Sequence, residues 1–236
     1  MTLRLSHRRS VSEAIEKHLP ELIRDKVASR IFQRDHTLWG KDAESESAIR
    51  LGWIYAAATT LQILPEVTEL ASTLRASGIT KVVLCGMGGS SLAPEVICKS
   101  FGVDLVVLDS TDPSAVRAAL NSDLEKCVVV VSSKSGSTVE TDSQKRSFEA
   151  AFDAAGIQKT ERIIIVTDPN SPMHKQALAD GYRVFLADPM VGGRYSALTA
   201  FGAVPSVLAG APMRQILESA IAATELVFSD HENNPA

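Results

Sequence analysis

Aromatic side chains are scarce in this sequence, at 5% of residues, so any core must be built from Ala, Val, Ile and Leu. A basic excess is also missing. Lys and Arg number 24 against 28 Asp and Glu, a net charge of −4, which removes the general attraction for nucleic acid or an anionic membrane. Any anion must therefore be held locally. Cysteine is limited to Cys85, Cys98 and Cys127, which fall in apolar stretches without metal-ligand spacing and read as buried thiols of a reducing cytoplasm. His18, His36, His174 and His231 sit among polar neighbours with no second His or Cys at ligand spacing, so no metal is expected. No apolar run approaches a membrane span. The basic start MTLRLSHRRS leads into a mixed segment and lacks the apolar stretch of a secretory signal. No GxxxxGK sequence occurs, which counts against a nucleoside triphosphate.

What is present is the balance of an ordinary globular protein, with 45% apolar and 22% charged residues in a chain of 236. That length suits one large α/β domain with additional helices. Residues 11–34 have near-helical apolar spacing and predict an amphipathic helix, broken or bent near Pro20. The stretch HTLWGKDAESES reads as a loop. Helical patterns cover about residues 46–61 and 65–77, the second ending at Gly78 as a left-handed cap. Beyond it, apolar β-branched runs at 81–85, 105–108, 127–132 and 162–166, and a weaker one at 182–186, alternate with helix-length segments. Runs apolar at consecutive positions are what parallel strands covered on both faces require. The expected fold is therefore α/β: a doubly wound three-layer sandwich around a five-stranded parallel sheet, preceded by N-terminal helices. Two apolar helices, about 197–209 and 212–228, close it. The organisation is a helical segment at 1–78, the α/β domain at 79–228 and a polar tail at 229–236.

In such sheets ligands bind beyond the carboxyl ends of the strands, so the following loops carry the chemistry. The first, GMGGSS, lets the backbone approach a ligand at a helix N-terminus; its plainer reading is a tight turn with Ser90 or Ser91 as N-cap. A dinucleotide site is the rival, with Asp109 about 20 residues further on, but Ser91 stands where the third glycine belongs. The loop SSKSGSTVET offers hydroxyls, a glycine and Lys134 where a helix begins, a donor set suited to a phosphate dianion. Ser137 with Glu140 fits a capping box. Capping does not account for Lys134, since a cation at the positive end of a helix needs an anion nearby. DSTDP and TDPNSP read first as caps followed by proline, with pocket lining second. The last loop, GGRYS, puts the Arg194 guanidinium on a glycine pair, suited to stabilising a developing oxyanion.

Three stretches, GMGGSSLAPEV, SSKSGSTVET and VGGRYSALTAFG, together spanning about residues 80–210, resemble the phosphoglucose isomerase family, specifically its N-terminal sugar isomerase (SIS) domain. The N-terminal helices with HTLWG resemble the isomerase portion of bacterial forms, including those fused to transaldolase. The resemblance implies that Gly89 and Ser90 contact the sugar. It implies that Ser133, Lys134, Ser135 and Thr138 surround its phosphate and that Arg194, the catalytic residue, faces the reacting carbons. The implied reaction interconverts glucose 6-phosphate and fructose 6-phosphate, in glycolysis and gluconeogenesis, through an enediol(ate) that Arg194 stabilises. No cofactor is implied, and the partner is a hexose 6-phosphate. SKSGST departs from the threonine- and phenylalanine-containing loop of most members, which bears on glucose versus mannose preference. The family takes its glutamate base from a second SIS domain, a lysine from nearer the C-terminus and a histidine from the other subunit of a homodimer. Nothing in these residues matches those motifs, so the expectation is a chain cut short at Ala236, with residues 229–236 leading toward a missing second SIS domain, and inactive alone. The alternative is an SIS-type phosphosugar-binding regulatory module without catalysis; the absence of a basic recognition-helix pattern favours the isomerase.

Overall fold

The structure, a computed structural model, describes residues 8–121 and 123–235. Most of the basic start read against a secretory signal, residues 1–7, and the terminal Ala236 lie outside them. Five parallel strands form one sheet: β1 Lys81–Gly86, β2 Val106–Leu108, β3 Cys127–Ser133, β4 Ile163–Thr167 and β5 Arg183–Leu186, in the order β2-β1-β3-β4-β5. Each lies within one residue of its predicted position. Every residue of β3 and β4 is buried, which is why CVVVVSS and IIIVT show no polar alternation.

Alternate residues feed two apolar layers. Val82, Leu84, Val128, Val130, Ile164 and Val166 face one cluster, which they share with α4 (Ala56–Ala76), α9 (Ala200–Ala209) and α10 (Met213–Val227). Val83, Cys85, Val129, Val131, Ile163 and Ile165 face the other, with α6 (Pro113–Leu120), α7 (Val139–Ala154) and α8 (Pro172–Ala179). α5 (Leu92–Ser100) packs on α9 and on the first layer through Ile97. The result is the three-layer sandwich expected. With few aromatics available, Phe148 and Phe152 supply the largest fully buried side chains of the second layer. Burying each contributes on the order of 2–3 kcal/mol. The three cysteines are buried free thiols, and burial pushes Cys127 up to about 11.

The N-terminal region departs from its expected outline. α1 (Arg9–Arg24) runs through Pro20, and the break before α2 (Val27–Phe32) falls at Lys26, in the left-handed region at φ 54°. Proline deletes one ladder bond, whereas a left-handed residue turns the chain out of the helix altogether. HTLWGKDAESES is helical, not a loop. Asp35 accepts from the Thr37 amide to start a 3-10 turn at His36–Trp39, and α3 covers Lys41–Ser47. The helical pattern read at about 46–61 is interrupted between Ser47 and Ala56, where the chain turns and forms a 3-10 segment at Gly52–Tyr55; α4 then runs unbroken through Pro65, held by burial of Leu64, Val67 and Ala71 in the first layer. It ends as expected at Gly78, with φ 81°: Gly78 N–H donates to Arg75 O and Ile79 N–H to Leu74 O, satisfying two orphan carbonyls.

Candidate functional site

β1 and β3 are the neighbours at which strand order reverses, since β2 lies on one side and β3 through β5 extend on the other. A ligand crevice opens there, beyond the strand ends, in sheets of this kind. Gly86, the last residue of β1, is in register with Ser132, so the loops GMGGSS and SSKSGST leave the sheet side by side.

The loop carrying Arg194 docks onto the first of these. A Cβ on Gly89 would overlap the Gly193 carbonyl, so only glycine permits the approach. Ser196 Oγ seals it, lying 2.7 Å from Gly193 O and 3.3 Å from Gly89 O. The segment before the sheet fixes the other side. Gly52 N–H donates to Met190 O, Leu51 bridges Val191, Thr60 Oγ1 donates to Leu198 O, and Trp53 stacks on Tyr195 with ring centroids 6.4 Å apart. Arg194 itself is exposed and, among the described residues, has no ion pair or side-chain hydrogen bond. Its backbone is held from two sides while its charge remains available.

Neither helix facing the crevice is capped by a side chain. At α5 the N-cap position is Ser91, but its hydroxyl donates backward to Gly88 O at 3.1 Å, and the Ser90 hydroxyl has no partner among the described residues. At α7 the N-cap is Thr138, whose hydroxyl pairs with Ser133 Oγ at 3.0 Å and caps nothing. The predicted capping box of Ser137 and Glu140 is therefore absent. Helix α7 starts one residue later than that box requires, and Ser137 Oγ turns back to Ser135 Oγ at 3.2 Å. Plain capping fails for both loops, and the unpaired N–H groups and dipole of each helix remain directed outward.

The phosphate-type loop rests on the loop after β4. Thr167 Oγ1 donates to Ser133 O at 2.7 Å and therefore accepts from Ser171 Oγ, 2.8 Å away. Gly136, at φ 67°, presses so closely on Ser171 that a Cβ would lie 2.7 Å from its Oγ. Ser133 Oγ accepts from Gly136 N–H at 3.2 Å. The anion demanded by Lys134 proves to be internal: its Nζ lies 2.5 Å from Asp168 Oδ2 and 3.4 Å from Pro189 O. The two capping assignments made for the remaining loops hold in the structure. Asp112 accepts from the amides of Ser114 and Ala115, and Ser171 from that of His174, each followed by proline.

The structure thus gathers Gly89, Ser90, Ser133, Lys134, Ser135, Thr138 and the Arg194 loop at one sheet edge. Sequence reasoning missed Asp168, Thr167 and Ser196. Thr167 and Asp168 were read only as members of the loop TDPNSP, a cap followed by proline with pocket lining second, and Ser196 only as a member of GGRYS. Among the described residues no group of three or more His, Cys, Asp or Glu could hold a metal ion, and no helix is long and apolar enough to cross a membrane. An apolar recess of about 410 Å³ lined by Leu19, Leu22, Ile23, Val227 and Phe228 shares no residue with these loops, and its one charged lining group is Asp230, unsuited to an anion.

The fold and crevice define a parallel α/β domain of the SIS type, the architecture of phosphosugar isomerases. A sequence profile for phosphoglucose isomerase matches residues 69–234, and the chain belongs to that family. A glucose-6-phosphate isomerase of Cyanothece is 33% identical over 167 residues, which cover 66% of this chain and 32% of that one. One from Thermus thermophilus is 30% identical over 233 residues, covering 94% of this chain and 52% of its own length. The crystal structure of the hypothetical protein TT0462 from Thermus thermophilus superposes with a TM-score of 0.76 at 29% identity, over 95% of this chain and 52% of the other. The chain spans between about a third and about half of these relatives.

Proposed function

We propose that this chain is the sugar-phosphate-binding half of a glucose-6-phosphate isomerase. The observation that carries the reading is the uncapped start of α7, where Ser133, Ser135 and Thr138 leave the sheet next to the β1 loop that receives the Arg194 segment, at the reversal of strand order. A phosphate dianion there accepts from the loop hydroxyls and the first-turn amides of α7, and gains from the helix dipole. Gly89 and Ser90 meet the sugar across the crevice. Arg194, unpaired and permanently charged, stabilises the enediolate formed as a proton moves between C1 and C2.

Proton abstraction from carbon needs a positioned base. Glu95 is tied to Lys99 at 2.6 Å, and Glu140 lies in the first turn of α7, where a carboxylate is expected for the helix dipole alone. The base is assigned to the second half that the relatives' greater length accommodates, in a homodimer, with residues 79–228 as the SIS unit and 229–236 leading onward. Calorimetric titration of the 236-residue chain with glucose 6-phosphate tests the reading. Binding is expected, weakened about tenfold or more by Thr138→Val, since a hydrogen bond to a charged group contributes roughly 1.5–3 kcal/mol. Undiminished binding in Ser133→Ala/Thr138→Val would remove the phosphate from this loop.

A further inference from the structure

The placement of Lys134 carries a consequence beyond the site already described. It follows the last residue of the fully buried strand β3, within the hydroxyl loop, yet its ammonium points across the sheet edge to Asp168 after β4 and the Pro189 carbonyl after β5. The two side chains are only 24% and 15% exposed. Among the described residues, Asp168 Oδ1 is buried and accepts no hydrogen bond, and Lys134 is the one charged partner of the carboxylate. The same two loops meet at Thr167 Oγ1 with Ser133 O and at Gly136 with Ser171. Three contacts therefore brace one loop against the other, and the ion pair is the outermost.

We infer that Asp168 is a positioning residue: it holds Lys134 as a strut between the loops after β3, β4 and β5, and keeps the ammonium off the ligand's phosphate. The inference rests on the reading that the hydroxyl loop takes a phosphate. The dianion is then held by hydroxyls and amides, with Arg194 as the nearby unpaired cation. The energetics are asymmetric. Removing Lys134 strands a partly buried carboxylate, a destabilising change, whereas removing Asp168 frees a cation that can swing to the loop mouth. A freed ammonium strengthens binding of a dianion and makes it more dependent on salt.

The test uses the 236-residue chain as wild type, Lys134→Met, Asp168→Asn and the double variant, with thermal unfolding and titration of inorganic phosphate at two salt concentrations. The strut predicts that the double variant is more stable than Lys134→Met alone, because the stranded carboxylate is gone. It predicts phosphate affinity in the double variant within about threefold of wild type, and in Asp168→Asn about tenfold tighter with a steeper salt dependence. A purely structural role for the pair would move stability without that tightening. Additive destabilisation in the double variant, or loss of more than about tenfold in its phosphate affinity, overturns the inference. If wild type binds no phosphate, the proposed site fails, and the stability coupling alone still decides whether Asp168 and Lys134 act as one strut.

Discussion

Two of the strand-to-helix junctions in this sheet are closed and two are open. After β2 and β4 the chain caps its own helices: Asp112 and Ser171 accept from first-turn amides, and proline occupies the next position. After β1 and β3 the helices α5 and α7 begin without a side-chain cap, although serine and threonine stand at the cap positions. The hydroxyls are present but directed elsewhere. A missing cap costs about 1 kcal/mol per helix. The open junctions are the two that flank the reversal of strand order, where a ligand can supply the acceptors. Closed junctions turn the chain, and on the proposed reading the open ones receive an anion.

The comparison can be broken at its sharpest point by closing an open junction. Thr138→Asp gives α7 a carboxylate cap, stabilises the helix by about 1 kcal/mol and sets a negative charge where the phosphate sits. Unfolding and titration should show a more stable chain with glucose 6-phosphate binding lost. In the two-part isomerase proposed above, Arg194→Ala should lower kcat by about two orders of magnitude with a smaller change in KM, as steady-state kinetics can read, because on that reading its charge is needed most in the transition state. Opening a closed junction is milder: Asp112→Ala should cost about 1 kcal/mol of stability and leave phosphate affinity unchanged. The affinity of the open junction should decline as pH falls through about 6, where a phosphate monoester loses its second charge.

Much of the fold was legible because consecutive β-branched residues admit few structures other than buried parallel strands, as 127–132 and 162–166 illustrate. The loops that follow such strands could be placed together at the carboxyl edge of the sheet for the same reason. Lys134 was not fully legible, because its partner lies 34 residues away and is reached only through the pairing of β3 with β4. The capping box failed on the direction of one hydroxyl: Ser137 bonds Ser135 where the motif needs a helix amide. In the N-terminal region propensity misled twice. Pro20 looks like a break, yet it lies inside α1, and the break falls at Lys26, a residue with no breaker signature. Residues 35–47, rich in charge and serine, fold because Asp35 caps the first turn, a local bond that composition does not announce.

One measurement separates open from closed junctions directly. Amide chemical shifts of the 236-residue chain, followed by NMR during titration with glucose 6-phosphate, report which helix N-termini meet the ligand. The account predicts changes concentrated at residues 88–92 and 133–141 and at the loop around Arg194, with the first turns of α6 and α8 silent. Equal changes at all the junctions, or changes confined to the apolar recess beside α1, would contradict it.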